Sequence, residues 1–338
     1  MLRYIVRRLA LGVLVLWGTT MVTFFVARVV PSDPAARWVG PRATVEEIAR
    51  ARQELGLDKP LYVQYIRYMS DLLHGNWGTS FVTHQPVLKD IGTYLPASLE
   101  LVICGMILAI LIGVPLGVVS ATHKGGLIDH LSRTFSIGAV SLPTFWMAMI
   151  LQLVFFGHLH LLPVGGRLDM GIQLAYPLRR ITGSYVLDSL LEGNWTVLGN
   201  SLLHLVLPAV TLAAYPLGLI TRMTRSSMLE VLSEDYIRVA RAYGVSERRI
   251  TYWYALKNAI GPTVTVVALT FAYSLAGTFL IEAVFNWPGL GQYAANAVIS
   301  GDYPAIMGVT ILVAALYVVL NLAVDIVHAL VDPRIKTS

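Results

Sequence analysis

Charge is scarce in this 338-residue chain. Asp, Glu, Lys and Arg make up 13% of it, against 56% hydrophobic residues and a mean hydropathy of +0.65. Water-soluble domains need more polar surface, so the composition points to an integral membrane protein. Cysteine is almost absent. Cys104 stands alone in an apolar run, which excludes an intrachain disulfide and leaves core or lipid-facing packing. A Gly-rich phosphate loop ending in Lys-Ser/Thr is missing, as is Gly-x-Gly-x-x-Gly after a strand. Any nucleotide the protein uses must therefore be held by another chain. His-Glu-x-x-His is missing too, and the middles of the apolar runs lack acids. These absences speak against an intramembrane protease and against an ion-coupled secondary transporter.

What remains is a set of apolar runs able to cross a hydrocarbon layer of ~30 Å. Residues 1–8, with Arg3, Arg7 and Arg8, read as a cytoplasmic N-terminus. The first span covers 9–30. It reads as a retained helix rather than a signal peptide, because no small-x-small cleavage site follows cleanly. Residues 31–96 read as an extracytoplasmic loop with short helices. Pro31, Asp33 and Pro34 stop the first span, and Thr44 with Glu47 forms a capping box for a helix ending near Gly56. An amphipathic helix follows from Pro60, with Leu61, Tyr65, Met69 and Leu72/Leu73 on one stripe, and Gly75 to Gly78 make a turn.

Five more spans are expected over 101–122, 134–157, 202–221, 259–281 and 305–324, so that 97–335 reads as one membrane core. The short connection 222–258 carries seven Arg/Lys and 286–304 carries none, which places the former and both termini in the cytoplasm. The tail adds Arg334 and Lys336. His158 and His160 lack a third ligand at useful spacing, so a wet interfacial position outweighs metal binding. Pro115, Pro143, Pro208, Pro216 and Pro262 fall in spans, with Gly113, Gly117, Gly138 and Gly277. This fits ordinary membrane packing or a bundle built to shift, and composition does not separate the two.

The densest positive charge lies in the loop from Leu229 to Pro262, with Arg238, Arg241, Arg248, Arg249 and Lys257. Leu229, Leu232, Tyr236, Val239/Ala240 and Tyr243 recur at helical spacing, Ser233 or Asp235 can cap the helix, and Gly244 can end it. Ser246 can cap a second helix, with Glu247 in its first turn. The pattern is helix, Gly turn, helix. Such an element can seat in a groove on a partner protein or lie on anionic lipid.

Tyr236-Ile-Arg-Val-Ala-Arg-Ala-Tyr-Gly-Val-Ser-Glu-Arg-Arg resembles the "E-A-A-x-x-x-G" loop of ABC importer permeases, in its dipeptide/oligopeptide (nickel) variant. Arg238, Val239, Ala240 and Gly244 take the E, A, A and G places. Val239 and Tyr243 depart from commonly small and commonly basic residues. The likeness runs along the chain: Pro31-Ser-Asp-Pro, Glu54-Leu-Gly-Leu-Asp-Lys-Pro with Gln64-Tyr65, Leu73-His-Gly-Asn-Trp-Gly-Thr-Ser-Phe, and Leu95-Pro-Ala-Ser-Leu-Glu. It continues through Glu282-Ala-Val-Phe-Asn-Trp-Pro-Gly-Leu-Gly, Asp302-Tyr-Pro, Asn321-Leu-Ala-Val-Asp and Asp332-Pro-Arg.

The resemblance implies an all-α, six-span inner membrane component of a binding-protein-dependent transport system in a bacterial or archaeal cytoplasmic membrane. It implies a non-catalytic subunit moving dipeptides or oligopeptides, with nickel chelates or oligosaccharides as alternatives. The implied partners are a second homologous permease, two cytoplasmic ATPases that bind ATP and Mg, and an extracytoplasmic solute-binding protein. No cofactor belongs to this chain, and no nucleic acid is a partner. Tyr236, Arg238, Val239, Ala240, Arg241, Ala242, Tyr243, Gly244 and Ser246 are then the ATPase-coupling residues. Candidates for the translocation path are Glu282, Ser141, Pro143 and Trp146, although packing is an alternative for Trp146. Glu100 reads as a helix-start acid, Asp325 as a partner for an inner base, and Trp287 as an interfacial anchor.

Overall fold

The computed structural model describes residues 2–29, 34–40 and 42–331. Pro31, Asp33, Arg334, Lys336 and the Asp332-Pro-Arg motif lie outside the described residues, as does the side chain of Asp325. Among the described residues there is no strand, only an isolated bridge between Thr79 and Pro86. In chain order the helices are α1 (Leu2–Val29), α2 (Pro34–Val39), α3 (Val45–Glu54), α4 (Leu61–Leu73), α5 (Val87–Thr122), α6 (Leu127–Ser141) and α7 (Thr144–Leu151). Then come α8 (Met170–Ala175), α9 (Tyr185–Glu192), α10 (Trp195–Leu232), α11 (Asp235–Ala242), α12 (Glu247–Arg249) and α13 (Lys257–Gly277). The last are α14 (Phe279–Val284), α15 (Leu290–Ser300) and α16 (Tyr303–Val331). A π-helical turn extends α7 over Gln152–His158, and another joins α12 to α13 over Ile250–Leu256.

Helices α1, α5, α10, α12–α13 and α16 are long and apolar enough to cross a membrane. The pair α6 and α7 makes a sixth span when counted as one. That pair corrects the expected single helix over 134–157, because it bends by 106°. The cause is Pro143, whose ring disfavours helical backbone in the residue before it. Leu142 is extended, at φ −80° and ψ 131°. The second span also differs. Helix α5 begins at Val87 and carries Pro96 within it, so Leu95 to Glu100 are interior helix rather than a lead-in.

Two compact units divide the chain, Met1–Pro96 with Gly289–Val319 and Ala97–Pro288 with Leu320–Ser338. Residues 289–319 thus pack with the N-terminal part in the first unit. Within the first unit Val87, Ile91, Leu290, Tyr293, Ala297, Ala305 and Val309 form one buried cluster. Buried Asp302 accepts from the Ser80 hydroxyl at 2.5 Å, and Tyr293 donates to Asp90 at 3.0 Å. The capping box forms as expected: Thr44 accepts from the Glu47 amide, and the Glu47 carboxylate accepts from the Thr44 amide. The stripe on α4 is shifted. Leu61 and Leu73 are exposed, while Tyr65 and Tyr68 pack on Phe24.

In the second unit, small residues let α5 and α10 approach closely. Gly105, Ala109, Gly113 and Gly117 recur every fourth residue of α5, on one face of the helix. A Cβ on Gly105 would lie 2.6 Å from Leu212 Cδ2, and one on Gly117 would lie 2.6 Å from Thr224 Cβ and 2.8 Å from the Thr221 carbonyl oxygen. Ala109 packs with Ala213, Leu217 and Ile220. Gly138 and Gly277, by contrast, have open space where a Cβ would be. Gly117→Ala is expected to destabilise the unit by about 1–3 kcal/mol through overpacking. Thermal unfolding in detergent checks this, and an unchanged midpoint would show that the two helices separate there freely.

Candidate functional site

The basic loop is built as the sequence pattern suggests, but in a different phase. Helix α10 runs on to Leu232, so Leu229 and Leu232 belong to it. The chain then breaks at Ser233–Glu234, with Glu234 extended, and α11 starts at Asp235. The break resets the helical phase. Ile237 (0% exposed) and Ala240 (8%) turn inward, into a cluster with Val118, Ala121, Met228, Ile250, Ala255 and Ala259. Tyr236 (40%), Val239 (53%) and Tyr243 (82%) face outward, beside exposed Arg238, Arg241 and Ala242. The expected stripe through Tyr236, Val239 and Tyr243 is thus the outer face, and Ile237 is the anchor that the sequence reading missed. Its signal was its spacing of three from Ala240.

Gly244 ends α11 in the left-handed region, at φ +74°. The Val245 amide donates to the Ala240 carbonyl at 3.1 Å, and the Gly244 amide to Arg241 at 2.9 Å. This is a Schellman motif, and Val245 and Ala240 share the apolar cluster beneath it. Ser246 occupies the N-cap of α12, but its side chain makes no capping bond. Arg241 Nε instead donates to Glu247 at 2.8 Å across the turn, and Arg238 pairs with Asp235 at 2.9 Å. The Tyr236 hydroxyl donates to the Tyr254 carbonyl at 3.3 Å and accepts from Asn258 at 3.0 Å. Next to these contacts Ser246, Arg248, Arg249, Tyr252, Trp253, Tyr254 and Lys257 line an open recess of about 820 Å³. The site is a rigid turn presenting an apolar stripe, with basic and aromatic side chains around it.

The candidate path residues fall in unlike settings. Ser141, Pro143 and Trp146 lie at the α6–α7 break and are exposed, Trp146 by 47%. Glu282 is enclosed in α14 and accepts from the Ser98 hydroxyl at 2.5 Å. Trp287 is likewise buried rather than interfacial, and its indole N–H donates to the Ala97 carbonyl at 2.9 Å.

Glu100 is not a helix-start acid. It lies well inside α5, pairs with Arg167, and accepts from the Ser184 hydroxyl at 2.7 Å and the Val186 amide at 2.8 Å. Around it the 158–201 segment is ordered by buried polar groups. Burial alone would raise the Asp188 carboxyl, but the Thr182 hydroxyl and the amides of Thr182, Gly183 and Ile181 outweigh it and hold the group below its ordinary value. His158 and His160 are exposed, and among the described residues no His/Cys/Asp/Glu group could hold a metal ion.

Comparison with known proteins agrees with this architecture. The family model for binding-protein-dependent transport system inner membrane components matches residues 113–337, and the one for their N-terminal region matches 1–102. The chain is 46% identical over 323 residues to the probable D,D-dipeptide transport system permease protein DdpB of Escherichia coli (strain K12), covering 96% of this chain and 94% of that one. It is 42% identical over 336 residues to the dipeptide transport system permease protein DppB of Alkalihalophilus pseudofirmus, covering 99% and 100%. A solved chain of the MetNI methionine ABC transporter, in an inward-facing conformation, shares the fold at a TM-score of 0.50 and 19% identity, over 70% of this chain and 93% of that one. The protein belongs to the family of binding-protein-dependent transport system inner membrane components and is a multi-pass membrane permease.

Proposed function

We propose that this chain is one permease subunit of an ATP-driven importer for dipeptides and oligopeptides, coupled through α11 to a partner ATPase. The outward stripe of Tyr236, Val239 and Tyr243 carries the reading. Apolar side chains held outward on a capped, internally anchored turn need a complementary surface. The arginines beside the stripe suit an acidic rim on that surface. In this reading a second, related permease completes the path, two ATPases bind ATP and Mg on the cytoplasmic side, and a solute-binding protein delivers peptide outside. Both termini and the 222–258 loop are cytoplasmic. The peptide substrate is inferred from what the relatives' names say of those proteins.

Coupling needs an element whose position both sites bias. The Schellman turn supplies it, because α11 cannot tilt without disturbing Ile237 and Ala240 in their cluster. Co-purification from membranes with candidate ATPase and binding-protein subunits tests the proposal. ATP hydrolysis in lipid should rise when peptide-loaded binding protein is added. A chain that purifies alone and moves solute down an ion gradient would refute it.

A further inference from the structure

The helices α5, α6 and α10 border a cavity of about 300 Å³ that shares only Ser141 with the candidate path residues. Arg133, Arg222 and Arg225 line it, together with Ser136, Ser141 and Thr221. Its charge balance is positive. Arg225 is held by buried Asp129, with Nε to Oδ1 at 2.6 Å and Nη2 to Oδ2 at 2.8 Å. Asp129 also accepts from the Ser120 hydroxyl at 2.7 Å and the Gly125 amide at 2.9 Å, so its oxygens are fully engaged. Among the described residues no carboxylate pairs with Arg133 or Arg222. A second observation is independent of charge. Thr221 is 2% exposed, lines the cavity, and its hydroxyl oxygen has no hydrogen-bond partner. A buried hydroxyl is rarely left so.

We infer that this cavity binds a phosphate-bearing anion, with Arg133 and Arg222 at its mouth and Thr221 within. The position fits a phospholipid headgroup. Arg222 and Arg225 lie in the last third of α10 and Arg133 in the first half of α6, towards the end of both helices that carries the basic connections. Arginines at helix ends reach headgroup depth, and basic pockets between spans hold anionic headgroups. Ile137 and Val140 on the same wall give acyl chains an apolar surface. Inorganic phosphate offers the same oxygens and is the other source of this chemistry.

The full chain, purified from membranes and exchanged into mixed micelles, tests this. Native mass spectrometry reads retained dioleoylphosphatidylglycerol against dioleoylphosphatidylcholine, and thermal shift reads inorganic phosphate. The variants are Arg133→Gln/Arg222→Gln, exposed positions whose loss leaves the fold intact, and Thr221→Val, which keeps the shape. Selective retention of phosphatidylglycerol that falls about fivefold per arginine removed supports the site with lipid as source, and Thr221→Val should weaken it too. A phosphate response with the same dependence on the variants and no lipid selectivity supports it with the free anion as source. No difference between wild type and variants in either readout overturns the inference. So does displacement of the bound anion by dialanine, which would make the cavity part of a peptide path.

Discussion

Replacing Val239 by serine and Tyr243 by alanine together is expected to abolish ATP-driven uptake while leaving the chain in the membrane at wild-type amount. Both side chains face outward, and exposed substitutions usually change stability by no more than ~0.5 kcal/mol. An apolar anchor at the centre of a protein interface is worth about 2 kcal/mol or more, so losing two should weaken docking by at least a hundredfold. Proteoliposome uptake, ATP hydrolysis and membrane abundance measured on one preparation check this. Hydrolysis should continue without transport, or the ATPase should fall away altogether. Normal uptake by the double variant would mean that the outer stripe faces lipid. Ala240→Glu is the contrasting case, because it forces a carboxylate into the cluster around Ile237 and Met228. That variant should lose abundance as well as transport.

The second large effect is expected at Arg167. Its guanidinium pairs with Glu100, donates to the Gly183 carbonyl at 3.0 Å, and lies 4.2 Å from the centre of the Tyr185 ring. Arg167→Ala would leave the buried Glu100 carboxylate without its counter-charge, which typically costs about 3–5 kcal/mol. The segment 158–201 should then loosen, seen as faster proteolysis between α7 and α10 and a lower unfolding midpoint in detergent. Glu100→Gln in the Arg167→Ala background should restore much of the loss, because an amide needs no counter-charge. If the single variant unfolds like the wild type, the ion pair is not what orders the segment.

Local chemistry made much of this fold legible in the sequence. Residues 9–30 and 305–324 are apolar enough to read directly as spans, Thr44 with Glu47 announces its own helix start, and Gly244 announces a turn. The misreadings arose where tertiary contacts decide. Pro143 looks like Pro208, Pro216 and Pro262 in sequence, yet those stay inside α10 and α13 while Pro143 breaks its helix. Glu100 reads as a helix-start acid and Trp287 as an interfacial anchor, but their partners Arg167 and the Ala97 carbonyl are far along the chain and no short pattern marks them. In the 229–262 loop, a helical period carried through Ser233 and Glu234 ran across a break, so Ala240 left the expected stripe and turned inward with Ile237.

Helix α10 has a consequence in leverage. At 38 residues it is about 57 Å long, nearly twice the ~30 Å of hydrocarbon it has to cross. It is continuous through Pro208 and Pro216 and ends just before α11. A beam of that length tilted by ~10° about one end swings its other end by ~10 Å, roughly the width of a helix. In the proposed reading, a small push beneath α11 would therefore be geared up into a helix-sized stroke at the opposite membrane face. The motion would travel along one continuous backbone, with no relay of side chains between.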